Sequence, residues 1–353
     1  MKQKKYKPNP LFHDKEPLTI GIPRALLYPR QITMWKTFFE ELGMKIVVSP
    51  PTNRRILENG TKAAIDEMCL AVKIYLGHVE ELAGHCDMIL VPRIVDYGIR
   101  RNMCTTFEGL PDIVSNIFRG RNLRILSYSV DVQCREKEES AFLEMGRRLG
   151  VPGPKAKRAY RNSQKAMENE TAKLAKKTEA LYRQKDRLRV AVAGHSYIIE
   201  DEYIGKPVLD ALRQLDVLPI RSDLVNRKKA RATAHELSPT LKWELSKELA
   251  GSLAMHINDL DGIILLSCYP CALDSMVNEM IIRKAYGKRV PILQLTLDAQ
   301  SGTAGVETRL ESFIDILRMN HGDTEDRLNE EAERRAVAAC AGTKRDQREG
   351  EMA

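Results

Sequence analysis

Cys268-Tyr-Pro-Cys271 is the stretch of this chain most suited to chemistry. The apolar run Ile263–Leu266 before it is too short for a helix and reads as a buried strand, and a helical pattern begins at Asp274. Two thiols between the carboxyl end of a strand and the amino end of a helix sit where N–H groups and the helix dipole favour negative charge. Such a thiolate can be a metal ligand or a redox nucleophile, and the motif alone does not choose between them.

The elements that must position these thiols alternate along the chain. Strands are expected at Leu18–Ile22, Met44–Val48, Met88–Val91 and Arg124–Tyr128, with helices near Gln31–Leu42, Asp66–Ala83, Pro111–Phe118 and Glu136–Leu149. After Gly150-Val-Pro-Gly-Pro154, residues 155–187 hold 11 Lys/Arg against 4 acids and read as one long solvated helix. The rhythm resumes with strands at Leu188–Ala193, Val217–Ile220, 263–266 and Val290–Leu295. Helices are expected at Ile204–Leu215, Thr240–Ile257, Ser275–Tyr286 and Ala304–Met319. The predicted fold is α/β, two Rossmann-like parallel-sheet lobes joined by a long helix. The divisions are an arm over 1–16, a lobe over 17–152, a connecting helix over 153–187, a second lobe over 188–320 and a charged, disordered tail over 321–353.

In such sheets ligands bind at the carboxyl ends of the strands. That rule puts Cys69, Cys104, Cys268 and Cys271 at one edge, facing an inter-lobe cleft, together with His195. Cys134 is a weaker candidate, Cys86 falls on the opposite edge, and Cys340 lies in the tail. A lone cysteine on an amphipathic helix is more often core packing than a ligand. His78, on the Cys69 helix, is more often structural, and His195 after Gly194 divides evenly between a turn contact and chemistry. Without a second Cys-x-x-Cys pair a zinc ribbon is disfavoured, and dispersed cysteines fit iron–sulfur ligation better than a His-rich site.

Other classes recede. The 353 residues are 43% hydrophobic and 29% charged with net charge +8, ordinary for a globular chain. No apolar run is long enough to span a membrane, and the basic N-terminus lacks the apolar segment of a signal peptide, so a cytoplasmic protein with free thiols is expected. The basic helix lacks aromatic interleaving, which argues against nucleic acid. Neither a Gly-x-Gly-x-x-Gly nor a Walker motif is present, so ATP hydrolysis by this chain is not expected.

The chain resembles the proteins related to the activases of 2-hydroxyacyl-CoA dehydratases, kin to the dehydratase subunits and to double-cubane-cluster proteins. The matching stretches are Gly21-Ile-Pro-Arg-Ala-Leu26, Asp66-Glu-Met-Cys-Leu-Ala-Val-Lys73, Gly77-His78, and Cys104 with Gly109-Leu-Pro-Asp112. In the second lobe they are Gly194-His195, Cys271-Ala-Leu-Asp274, Val277-Asn-Glu279, 297–305 and Thr308-Arg-Leu-Glu311. The resemblance implies an iron–sulfur cluster between the lobes, a 4Fe–4S cluster first and a double cubane second, with Cys69, Cys104 and Cys271 at the family's ligand positions. Cys268 would be a fourth ligand, closing the last iron, or a neighbour. Lys73, His78, His195 and Asp274 are the candidates for supporting roles around the cluster. Ala272-Leu273 replaces the usual Gly-Pro, and Thr105 stands where Pro is usual, so the flanking loops are expected to differ in shape.

The resemblance further implies low-potential electrons delivered by a separate ATP-dependent activase, for reductive dehydration of an (R)-2-hydroxyacyl-CoA or reduction of a small substrate. It leaves room for a homo- or heterodimer. The alternatives are a non-catalytic electron-transfer partner of the activase and a Cys-x-x-Cys thiol oxidoreductase.

Overall fold

The computed structural model describes residues 17–286, 290–302 and 304–320. The expected arm over 1–16 and the tail over 321–353, with Cys340, lie outside the described residues.

The N-terminal half runs β1 (Thr19–Ile22), α1 (Tyr28–Leu42), β2 (Lys45–Val48), α2 (Arg54–Ala63), α3 (Leu70–Leu82), β3 (Met88–Leu90), β4 (Arg93–Asp96) and α4 (Thr105–Ile117). It continues with β5 (Ile125–Leu126), β6 (Ser129–Asp131), α5 (Glu138–Arg148) and α6 (Gly153–Leu181). Its sheet has the order β2-β1-β3-β5, all parallel. Beyond β3 and β5 the Val91 and Arg93 N–H groups donate to the Leu126 and Tyr128 carbonyls at 2.9 and 2.8 Å, carrying the pairing on into the parallel pair β4–β6.

The C-terminal half runs β7 (Arg189–Ala193), α7 (Ser196–Ile199), α8 (Gly205–Gln214), β8 (Leu218–Arg221), α9 (Arg227–Leu237) and α10 (Glu244–His256). It ends with β9 (Gly262–Cys268), α11 (Ala272–Tyr286), β10 (Ile292–Leu297) and a helix over 304–320, here α12. The sheet order is β10-β9-β7-β8, again all parallel. The predicted α/β class with parallel sheets is the one observed. In each half the third strand joins the far side of the first, so the chain reverses direction between β1 and β3 and between β7 and β9. Such reversals are where open sheets bind ligands.

The local causes are plain. Every residue of β9 is buried, as a central strand covered on both faces requires. Helix α1 buries Gln31, Met34, Trp35, Phe38, Phe39 and Leu42 along one stripe and stops at Gly43, whose φ of 86° is the left-handed C-cap conformation. Helices α2 and α9 begin where the Asn53 and Asn226 side chains accept the amide N–H of Ile56 and Lys229. Gly77 lets α3 press on α2, since a Cβ there would stand 2.0 Å from the Ile56 carbonyl oxygen.

Helix α6 departs from the solvated connector expected over 153–187. Its early turns bury Ala156, Ala159, Tyr160 and Ser163 and pack on α1 and α5, leaving the basic residues on the outer face. Helices α2 and α9 were not expected, and α4 begins six residues before Pro111.

The halves share one large apolar core, with Phe38, Leu76, Ile199 and Leu266 in the same cluster. Two buried carboxylates also join them: Glu248 meets Arg30 at 2.5 Å and Glu244 meets Arg101 at 2.7 Å, while Arg231 of their own half bridges both at 3.0 Å. Among the described residues no helix is long and apolar enough to cross a membrane.

Candidate functional site

Three thiols sit at the starts of three helices. Cys69 is the N-cap of α3, Cys104 is the N-cap of α4, and the Cys271 carbonyl accepts the Ser275 amide in the first turn of α11. The Val72 N–H donates to the Cys69 carbonyl at 2.9 Å, and the Asp274 N–H donates to Cys271 Sγ at 3.4 Å. The Cys104 thiol donates to Thr106 Oγ1 at 3.6 Å. All three cysteines line one cavity of about 50 Å³ between the halves. The Leu70 N–H, left over at the start of α3, donates across the halves to the Tyr269 carbonyl at 3.0 Å, which sets the Cys69 turn against the Cys268–Cys271 loop.

His195 and Asp274 line the same cavity. His195 Nε2 donates to Asp274 Oδ1 at 2.8 Å, with both side chains buried. Gly194 makes this placement possible, because a Cβ there would lie 2.6 Å from the Leu266 carbonyl oxygen on the neighbouring strand β9. The His195 ring also lies 5.2 Å from that of Tyr197, which packs in turn on Phe107.

Burial dominates the electrostatics. It pushes the Cys69 thiol up, and the Cys104 and Asp274 charges add to this while the helix N–H groups oppose it. Burial and the Asp274 carboxylate push Cys271 up to about 12, and burial carries Cys268 well above the ordinary thiol range. Burial would also raise Asp274, but the His195 imidazole and its hydrogen bond outweigh it and hold the carboxyl below its usual range. A dithiol nucleophile needs a depressed thiol pKa. The directions at Cys268 and Cys271 run the other way.

The remaining sequence candidates lie apart from the cavity. Cys268 ends β9 with 2% of its surface exposed and is not among the lining residues. Lys73 Nζ donates to the Asp66 carbonyl at 3.0 Å, and Cys86 Sγ donates to the Leu82 carbonyl at 3.4 Å. Cys134 is exposed beside Asp131, whose hydrogen bond and charge raise its thiol pKa. His78 is fully buried in a polar chain that crosses the halves. The Thr52 hydroxyl donates to Asp201 Oδ2 at 2.5 Å, so His78 Nε2, 3.0 Å away, is the donor to Thr52 Oγ1. Burial and the Arg24 cation lower His78 to about 3, and its Nδ1 has no hydrogen-bond partner among the described residues. Sequence reasoning missed Tyr197, Phe107 and Trp243 on the cavity wall. Only the short spacing of Tyr197 from His195 hinted at any of them.

A second cavity, of about 470 Å³, opens between α2 and the α8–β10–α12 side, with Leu70 in its wall. Among the described residues no group of three or more His, Cys, Asp or Glu side chains converges on a point suited to a single metal ion.

The fold and site define a parallel α/β protein whose two halves meet over half-buried thiols. The chain belongs to the CoA enzyme activase uncharacterised domain family (DUF2229), whose model matches residues 19–225 and so takes in Cys69, Cys104 and His195 but stops before Cys268 and Cys271. No curated protein matches the chain. Among solved structures, a crystal structure of ZnuA aligns at 11% identity and a TM-score of 0.23, over 86% of this chain and 99% of that one, a similarity too low to carry any argument.

Proposed function

We propose that this chain is an iron–sulfur component of an acyl-CoA dehydratase system, with Cys69, Cys104 and Cys271 holding a 4Fe–4S cluster and a separate ATP-dependent activase as electron donor. The observation that carries this is the meeting of three thiols, from three helix starts and both halves, on one cavity. Family membership supports the link to activation of CoA enzymes. The donor set suits the group in kind: thiolates are the ligands of such clusters, and Cys69, Cys104 and Cys271 would each hold one iron of it. Helix N-termini, and the Asp274 N–H at Cys271 Sγ, act against the burial that disfavours the thiolates ligation requires.

When bound, the cluster supplies a low-potential electron to a thioester carbonyl, which eases loss of the 2-hydroxyl. The chain's own residues hold and shield. The rings of Phe107, Tyr197 and Trp243 give the cavity an apolar wall beside the half-buried thiols. His195 keeps its Nε2 proton on Asp274, where it can be delivered or withheld at the cavity wall. Cys268 lies outside the lining, so Cys69, Cys104 and Cys271 would hold the cluster without it.

A second reading is favoured by size. A cavity of about 50 Å³ is far smaller than the roughly 300 Å³ of small ligand pockets. That favours an electron carrier serving another subunit over a substrate-binding enzyme.

The test is anaerobic reconstitution of the full chain with iron and sulfide assays. Iron and acid-labile sulfide should bind in equal amounts. Cys69→Ser, Cys104→Ser and Cys271→Ser should each lose most of the iron, while Cys268→Ser keeps it. A chain that stays iron-free after reconstitution would sink both readings. A spectral response of the reduced protein to a 2-hydroxyacyl-CoA would select the enzyme over the carrier.

A further inference from the structure

The 470 Å³ cavity is of the size that holds small ligands, and close-packed interiors do not leave such space by default. Its floor is apolar and drawn from both halves: Leu57 and Leu70 from one, Val208, Leu297 and Leu310 from the other, each no more than 7% exposed. The floor therefore suits an aliphatic body.

The rim decides the head group. Arg54 and Glu58 satisfy each other at 2.8 Å. Asp298 is turned into its own loop, accepting the Gln300 N–H at 2.8 Å and the Ser301 hydroxyl at 3.0 Å. Two charges of opposite sign remain without an ion-pair or hydrogen-bond partner among the described residues: Lys62 in the last turn of α2 and Glu307 in the first turn of α12. They belong to opposite halves and form no ion pair with each other.

From this we infer that the cavity is a binding site for a small zwitterion with an aliphatic side chain, an apolar α-amino acid, whose carboxylate meets Lys62 and whose ammonium meets Glu307. A ligand carrying only one of these charges leaves one rim group unanswered. Long side chains such as Lys62 can lie along the apolar wall and still present the charge. Because Leu70 follows Cys69 directly, an occupant would also steady the turn that carries that thiol. The assignment goes beyond the cluster reading and stands whether or not the thiols hold iron.

The test is titration of the full-length, iron-free chain with L-norleucine, followed by calorimetry, beside hexanoate and hexylamine as probes that each lack one charge. Norleucine should bind saturably, and each single-charge probe about tenfold or more weaker. Lys62→Gln and Glu307→Gln, both surface changes, should each weaken norleucine by about tenfold. Ala211→Trp, which fills the cavity from α8, should abolish binding. The assignment is overturned by absence of saturable norleucine binding, by hexanoate or hexylamine binding as tightly, or by unchanged affinity in both rim variants. Iron content is read separately, so failure here leaves the cluster reading intact, and loss of the cluster leaves this one.

Discussion

The two halves of the chain share one strand order and differ in what they place at its reversal. The N-terminal half brings Cys69 and Cys104, each the N-cap of a 13-residue helix, into the shared cavity. The C-terminal half brings one thiol, Cys271, together with a buried hydrogen-bonded pair, His195–Asp274. One half thus offers soft ligands and the other a ligand plus a proton-holding pair. Topology sets where chemistry happens, and the residues at the reversal set which chemistry it is.

That comparison depends on the halves keeping their registration, which gives the largest expected effect. Glu248→Gln should cost about 3–5 kcal/mol, because Arg30 is left buried without its carboxylate. Burial alone would raise the Glu248 carboxyl, but Arg30, Arg227 and Arg231 hold it below the ordinary range. Its folded pKa lies below its unfolded one, so the pair stabilises fully above the unfolded value and is lost as pH falls through the folded value. Urea unfolding followed from neutral pH down through about pH 4 should show the wild type approaching the variant in acid. Parallel curves for the two would contradict this.

A smaller effect tests the C-terminal half alone. Gly194→Ala should destabilise by about 1–3 kcal/mol, since the new methyl meets the β9 backbone rather than a side chain able to swing away. The same variant should displace His195 from Asp274, and the imidazole NMR signal should move. An unchanged signal and stability would mean that β7 and β9 can part without cost.

The smallest effect concerns thiol reactivity. In the iron-free chain near neutral pH, iodoacetamide should modify exposed Cys134 first and buried Cys268 last among the six described cysteines, as mass spectrometry of timed digests would show. Cys271, held up to about 12, should stay largely unmodified there and react faster as pH rises. Rapid labelling of Cys271 at neutral pH would restore the dithiol reading.

Much of this was present in the sequence because strands here are short apolar runs. Ile263–Leu266 is a strand at sight, and β9 extends it to Gly262–Cys268. The edge rule gathered Cys69, Cys104, Cys268 and Cys271 because a strand's end and the next helix's start share a side of the sheet, and it did not separate Cys268, which is buried behind the cavity wall, from the three that line it. Helix α2 escaped because Arg54–Ala63 is mostly polar, with Ile56, Leu57 and Gly60 its only buried residues. The first half of α4 escaped because Thr105, Thr106, Gly109 and Pro111 read as a loop, although Cys104 caps it and Pro111 sits inside it. Partners far apart in sequence, such as Arg30 with Glu248 or Thr52 with Asp201, follow from how the halves dock and leave no local pattern.

The amide between Cys69 and Leu70 has a mechanical consequence. Its N–H is pinned to the Tyr269 carbonyl, two residues before Cys271. Any hinge-like opening of the halves must therefore pull that pin and spread the Cys69–Cys271 span in the same movement. The chain cannot loosen its seam and leave its thiols undisturbed.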